Sequence, residues 1–317
     1  DPVGIVGRAI GQMGAACRVD LAPRDIVFVH PALLHRRFGQ AACRGRRNLR
    51  RSRHFPVSFP PLARQARPMS VLQSRLPPDL IAAARQPLPK MAPVPGPWIT
   101  VDDAYGAQIA LRQQLMAERP GDVLARAGET GAVEAALLAA VQDGLDAHPG
   151  FDRQGRAVRC PDGRCAALDP AAPLESLGAI LAEDLCLLER RGDEHVLIAA
   201  AVCFPAGWTL AEKIGQPLTR IHRPVPPYDA AVAPRVQRFF DAVQPGRPLW
   251  RANLHGHDDP VLYLPQPEAA PKRKVPEPPR YWRAERQTVL RLTATAVLFA
   301  IHTSIVATEG SEANIEV

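Results

Sequence analysis

Proline punctuates this chain too often for any long regular element to form. It occupies 34 of 317 positions, roughly twice the usual share of about 5%. Each proline removes a backbone donor and fixes φ, which excludes a long coiled coil. The longest apolar runs, Val196–Phe204 and Ala294–Ile301, fall far short of the ~20 residues that cross a bilayer, and this excludes a polytopic membrane fold. Short helices and strands remain, and 46% hydrophobic residues suffice to bury a core among them.

The formal net charge of +7 is localised. Residues 1–68 carry thirteen Arg, no Lys and three acids, Asp1, Asp20 and Asp25, whereas residues 69–317 hold 26 basic and 29 acidic groups. The main body is therefore slightly acidic, and nothing in it favours nucleic acid or a membrane surface as partner. The run Arg44–Arg53 has the charge to neutralise phosphates. Its lack of Lys and of apolar period points more strongly to a disordered leader or to translated upstream sequence. Met69-Ser70 opens the part expected to fold.

Six cysteines, Cys17, Cys43, Cys160, Cys165, Cys186 and Cys203, are too few for a disulfide framework, and a reducing cytoplasm is the expected setting. Cys160 and Cys165 flank the turn sequence Pro-Asp-Gly-Arg. With no second ligand pair at similar spacing, they read as two reduced thiols at a hairpin tip rather than a zinc knuckle.

Residues 69–100, with Pro77, Pro78, Pro87, Pro89, Pro93, Pro95 and Pro97, read as an extended arm. The domain proper is expected over 101–306, with an irregular tail at 307–317. Asp102 and Asp103 start a helix through Glu118, and Thr130–His148 repeats apolar residues at the 3.6 period. Leu181–Leu188 and His195–Phe204 form a hairpin about Glu189–Glu194. Trp208–Gly215 is a short helix closed by glycine, and Pro224, Pro226 and Pro227 force an extended passage. A third helix covers Tyr228–Val243. Strands follow at Trp250–His255, Trp282–Leu292 and Ala296–Val306. The pattern is α+β with a curved antiparallel sheet. Neither GxGxxG nor GxxxxGK[ST] occurs, so no nucleotide site is expected.

Three groups of residues are chemically unusual. His222 lies just before Pro224 in a segment expected to be extended, where a stiff backbone would present one ring nitrogen to a cavity, as an iron ligand requires; a histidine simply hydrogen-bonded in a loop is the plainer alternative. Arg251-Ala-Asn253 is followed by His255 and His257, which a strand places on one face, and Asp258 and Asp259 follow directly. That pattern suits a non-haem metal or, more simply, a solvated strand end. In Arg283-Ala-Glu-Arg-Gln-Thr288 polar side chains alternate within an apolar setting, where they are costly unless paired or bound to an anion.

Together these segments resemble a known family. Glu183-Asp-Leu-Cys-Leu-Leu188, Val202-Cys-Phe-Pro-x-x-Trp208, Glu212-Lys-x-Gly215, Ile221-His-x-Pro-Val-Pro-x-Tyr228, Arg251-Ala-Asn253 and Arg283-x-Glu-Arg-Gln-Thr288 look like the haem-dependent oxidative N-demethylases, α-subunit type, over about residues 88–306. The resemblance implies a PAS-like haem-binding fold and O2-dependent removal of a methyl group from a small secondary amine such as dimethylamine, with release of formaldehyde. It implies haem b as cofactor, and electrons from NADPH through separate flavin and iron–sulfur subunits of reductase or ferredoxin type. His222 is then the expected axial ligand. Lys213, Arg251, Arg283 and Arg286 are candidates for propionate pairing or pocket lining, and Glu285 for positioning the amine, with Arg283 beside it in the catalytic set. Leu254 and His302 depart from the family, which more often has Trp and Arg there. A PAS-like module that holds haem or another small ligand without turnover is the alternative.

Overall fold

Side-chain alternation along the last two strands sorts the molecule into two faces. The computed structural model describes residues 70–87, 90–224, 231–271 and 275–308. The charged leader and the tail expected from the sequence lie outside the described residues, apart from the first two positions of the tail. The elements run α1 Pro78–Ala84, β1 Ala92–Pro93, α2 Tyr105–Glu118, α3 Pro120–Val123, β2 Leu124–Arg126, α4 Gly131–Asp146, β3 Asp152–Gln154, β4 Ala157–Arg159, β5 Cys165–Ala167 and α5 Pro173–Gly178. Then come β6 Asp184–Arg191, β7 Glu194–Ala201, a 3₁₀ turn at Leu210–Glu212, α6 Leu218–His222, α7 Ala233–Ala242, β8 Leu249–His257, β9 Tyr281–Arg291 and β10 Ala296–Ala307. This is an α+β protein built on a seven-stranded sheet of order β1-β8-β9-β10-β6-β7-β2, with a small β3-β4-β5 sheet beside it. All strand pairs in both sheets are antiparallel.

Local sequence explains the elements. In α2 the buried residues Tyr105, Gln108, Ile109, Arg112 and Leu115 fall at helical spacing on one face. Asp102 accepts the Ala104 N–H at 3.0 Å, and Pro120 ends the helix and begins α3. The β6–β7 hairpin closes on Gly192-Asp193, with Gly192 at φ 62°, a two-residue turn that favours glycine. One expectation fails here: the proline-rich arm is not extended throughout. Pro78 sits at the start of α1, where a missing N–H costs nothing. Leu80 packs with Trp250, Ala252 and Ala284, so burial outweighs the local proline density.

Two apolar layers follow from the period of two. On one face Leu185, Leu187, Leu298 and Ala300 pack against Ile109 of α2 and Val133, Leu137, Val141 and Leu145 of α4. On the other, Cys186, Leu188, Val289 and Val297 pack against Leu218 of α6 and Phe240 of α7, with Ile221 alongside. Cys160 is a free buried thiol, whereas Cys165 is disulfide-bonded, so the expectation of two reduced thiols holds for Cys160 alone. No helix among the described residues is long and apolar enough to cross a membrane.

His195 of β7 is 1% exposed, and its Nδ1–H donates to Gln237 Oε1 at 2.9 Å. Burial holds its pKa below the ordinary value of 6.5, and burial moves His148, His222 and His257 the same way. The unfolded chain therefore takes up protons near pH 6.5 that the folded chain refuses. Stability is expected to be full above pH 6.5 and to fall as the pH drops below it. Urea midpoints at pH 7.5 and 5.5 check this, and His195→Asn should flatten part of the slope. A midpoint that stays level or rises on acidification would show the sign to be wrong.

Candidate functional site

Register places the unusual polar residues together. Arg251, Asn253 and His255 of β8 stand opposite Gln287, Glu285 and Arg283 of β9, which in turn stand opposite Ile301, Thr303 and Ile305 of β10. Directly opposed residues share a face, so these nine side chains, seven of them polar, form a largely polar strip on the sheet face that packs α6 and α7 through Val289 and Val297. Ile301 lies on a central strand yet is only half-buried. It enters none of the four apolar clusters of the described residues.

The strip is internally connected. Arg283 is 1% exposed and donates from Nη2 to Phe204 O at 2.6 Å and from Nη1 to Leu262 O at 3.1 Å. Its Nε faces Glu285 Oε1 at 3.5 Å, an ion pair without a formed hydrogen bond. Glu285 also accepts from Gln287 Nε2 at 3.3 Å, and Gln287 Oε1 accepts from Arg251 Nη1 at 2.8 Å. Burial pushes the pKa of both guanidinium groups down, and Glu285 offsets this in part at each. Two desolvated cations thus share one nearby strip carboxylate, an arrangement that an arriving anionic group would relieve.

His222 is the last residue of α6, which corrects the expectation of an extended segment. Leu218 and Ile221 bury against the sheet and order one helical turn ahead of the prolines. The ring is half-buried, and Nδ1–H donates to Leu218 O at 2.9 Å, which puts the lone pair on Nε2. Burial lowers its pKa, and the Lys213 charge adds to that. The imidazole is therefore neutral near pH 7, the form a metal ligand needs, with its tautomer fixed by the backbone acceptor.

The other predicted residues separate. Lys213 is buried, with Nζ donating to Ile221 O at 2.9 Å and lying 3.6 Å from Glu268 Oε2; its ammonium serves α6. Arg286 points to the opposite face, since it alternates with Arg283 and Glu285. Its Nη1 donates to Trp98 O at 3.1 Å and Thr100 Oγ1 at 2.9 Å, and the guanidinium lies 5.2 Å over the Trp250 ring. It braces the N-terminal segment and does not join Arg251 and Arg283. His255 and His257 share a strand face as expected, but His255 is exposed. No group of three His, Cys, Asp or Glu among the described residues is placed to hold a metal.

Sequence reasoning missed Glu268. It lies in a proline-flanked loop without period or motif, and its role arises only because the β8–β9 connection folds back onto α6. A hollow of about 410 Å³ beside the start of α4 carries no such chemistry. Arg126 there is held bidentately by both Glu134 and Glu175.

The profile of a protein family described as "Haem-dependent oxidative N-demethylase, alpha subunit-like" matches residues 89–314. No curated protein matches the chain.

Proposed function

The chain belongs to the haem-dependent oxidative N-demethylase α-subunit-like family, and on that premise we propose that it is the haem-binding subunit of an O2-dependent demethylase of small secondary amines. The observation that carries this reading is the neutral imidazole of His222 on α6, a helix packed on the same sheet face as the Arg251–Gln287–Glu285–Arg283 strip. A PAS-like fold, haem b as the cofactor form, and His222 as its ligand belong to the same proposal.

The donor set suits haem. His222 Nε2 is the nitrogen to hold iron, and Arg251, half-buried with one bond to Gln287, is the cation to meet a propionate carboxylate. The chemistry supplied by bound haem is O2 activation and oxidation of the substrate's methyl C–H bond. The net conversion consumes one O2, two electrons and two protons, and gives the demethylated amine, formaldehyde and water. The resemblance to the family implies that the electrons come from NADPH through separate flavin and iron–sulfur subunits, and we assign them so.

The protein's own residues bind and orient. A secondary amine is a cation near neutral pH. Glu285 offers it a half-buried carboxylate whose existing bonds, at 3.3 and 3.5 Å, are long. Pairing there would fix the nitrogen and direct a methyl group outward from the strip. Arg283 holds Glu285 from behind, anchored on two backbone carbonyls, and so keeps the carboxylate aimed.

The test is an absorption spectrum of the haem-loaded chain from about 350 to 650 nm, followed by reduction and exposure to O2 with dimethylamine. A haem spectrum with formaldehyde formed is the expected result. Stable haem without product would favour the sensor alternative, and a chain refractory to haem would end the reading. Glu285→Gln should retain the spectrum yet lose about ten- to a hundredfold in kcat/KM, as expected for one charge-assisted hydrogen bond. Most of that loss should fall on KM.

A further inference from the structure

A helix of five residues cannot set its own direction, because one turn of backbone hydrogen bonds does not repay the cost of nucleation. The orientation of α6, and so of the His222 ring bonded to its Leu218 carbonyl, must come from contacts outside the helix. Leu218 and Ile221 seat the helix on the sheet, and its ion pairs converge on Glu268 in the β8–β9 connection.

The Glu268 carboxylate accepts from Arg220 Nη1 at 2.9 Å and from Arg223 Nη2 at 3.1 Å, and lies 3.6 Å from Lys213 Nζ. Arg220 and Arg223 bracket Ile221 and His222 on α6 and its C-cap. Lys213 reaches the same stretch from the preceding turn, donating to Ile221 O, the carbonyl just before His222. The backbone of Glu268 is itself fixed, its N–H shared between the two oxygens of Glu212 at 3.1 Å each, while Thr209 Oγ1 donates to Glu212 Oε2 at 2.6 Å. Three cations and one carboxylate therefore tie the loop, the 3₁₀ turn and α6 into one unit.

The contacts are unequal. The Arg223 side chain is 67% exposed, so its pair is weak. The Lys213 side chain is 7% exposed, so the nearby Glu268 carboxylate at 3.6 Å offsets the cost of burying its ammonium. The guanidinium groups hold the Glu268 pKa down at about 2, so the carboxylate is ionised throughout the working pH range.

We propose that Glu268 is the positioning residue for the iron ligand: it locks α6 so that the imidazole of His222 is held at one orientation, and it balances the Lys213 charge beside that imidazole. The inference rests on His222 being the ligand. Glu268 does not touch substrate or iron. Its removal should loosen α6 in the haem-free protein, and the loss of one negative charge should shift the ferric–ferrous midpoint of the loaded protein to more positive potential.

Hydrogen exchange of the haem-free full chain reads the first effect at the Ile221 amide, which donates to Pro217 O at 2.9 Å. Glu268→Ala should lose about tenfold in protection there. Glu268→Gln, which retains shape but not charge, should lose less, and Glu268→Asp should recover most of it. Spectroelectrochemistry of loaded Glu268→Gln reads the second effect. Unchanged protection in Glu268→Ala together with an unchanged midpoint in Glu268→Gln overturns the inference, even where His222→Ala abolishes the native haem spectrum and so upholds the ligand. A His222→Ala protein with the wild-type spectrum overturns the ligand assignment and this inference with it.

Discussion

Replacing His222 with alanine should leave a folded chain that no longer holds haem in its native ligation. Among the described residues the ring donates a hydrogen bond to Leu218 O from a half-buried position, and loss of that bond should cost stability about 1 kcal/mol. Its removal from an iron would instead take away the whole protein-side bond. Haem affinity is expected to fall at least about a hundredfold, the upper end of what disturbing even the partners of a metal ligand costs, and the Soret band should weaken or move. The melting temperature gives a second readout. Haem raises that of the wild type by mass action, and should raise that of the variant far less. His222→Gly with added imidazole separates ligation from folding, because a diffusible ring can restore the spectrum but cannot repair α6. An unaltered spectrum in both variants would falsify the assignment. It would shift attention to the polar strip itself, where His255 and His257 face the same side as Arg283.

What the sequence disclosed about this site divides along physical lines. The alternation Arg283, Glu285, Gln287 was legible because a strand has a fixed period of two, and it correctly implied one polar face. The same period excludes Arg286 from that face. Motif resemblance groups residues by sequence neighbourhood, whereas the pleat separates neighbours, so Arg286 looked like a partner of Arg283 until its bonds to Trp98 O and Thr100 Oγ1 were seen. The hairpin at Gly192 and the helices at Tyr105 and Gly131 were legible for similarly local reasons. The helical setting of His222 was not. Prolines at 224, 226 and 227 announce an extended chain, but the turn before them is helical because Leu218 and Ile221 bury against Val289 and Phe240, a tertiary effect that overrides local preference. Nor was the polar half of α2: Gln108 and Arg112 occupy positions that pattern alone reserves for apolar side chains. They are accommodated because Thr303 O and Asp184, far along the chain, meet them.

Asp184 joins that interior to the site, and its loss should be the most destabilising single change among the described residues discussed so far. Oδ1 accepts from Arg112 Nη1 at 2.6 Å and from the Cys203 N–H at 2.7 Å, and Oδ2 accepts from the Phe204 N–H at 3.0 Å. The two side chains of the ion pair are 0% and 2% exposed. Arg112 also donates to Gly178 O at 3.2 Å and lies 5.2 Å from the Phe204 ring centroid. Asp184→Ala therefore strands a buried guanidinium and two backbone donors together. Breaking one partner of a buried pair costs about 3–5 kcal/mol, which for a folded region of this size is a fall in melting temperature of roughly 6–20 °C. Asp184→Asn keeps an acceptor oxygen and the shape, and should lose less. Replacing both partners, as in Arg112→Met with Asp184→Leu, removes the stranded charge along with its counter-ion, so the double variant should be more stable than Asp184→Ala. The consequence for the site follows from Phe204, whose N–H is held by Asp184 and whose carbonyl receives Arg283 Nη2. Freeing that residue releases one of the two backbone anchors of Arg283 and, through the 3.5 Å ion pair, the carboxylate of Glu285. At a temperature where Asp184→Asn is still folded, its KM for a secondary amine should rise while the haem spectrum stays near wild type. A variant that loses stability but keeps its KM would show that the Arg283–Glu285 pair is held independently of this buried network.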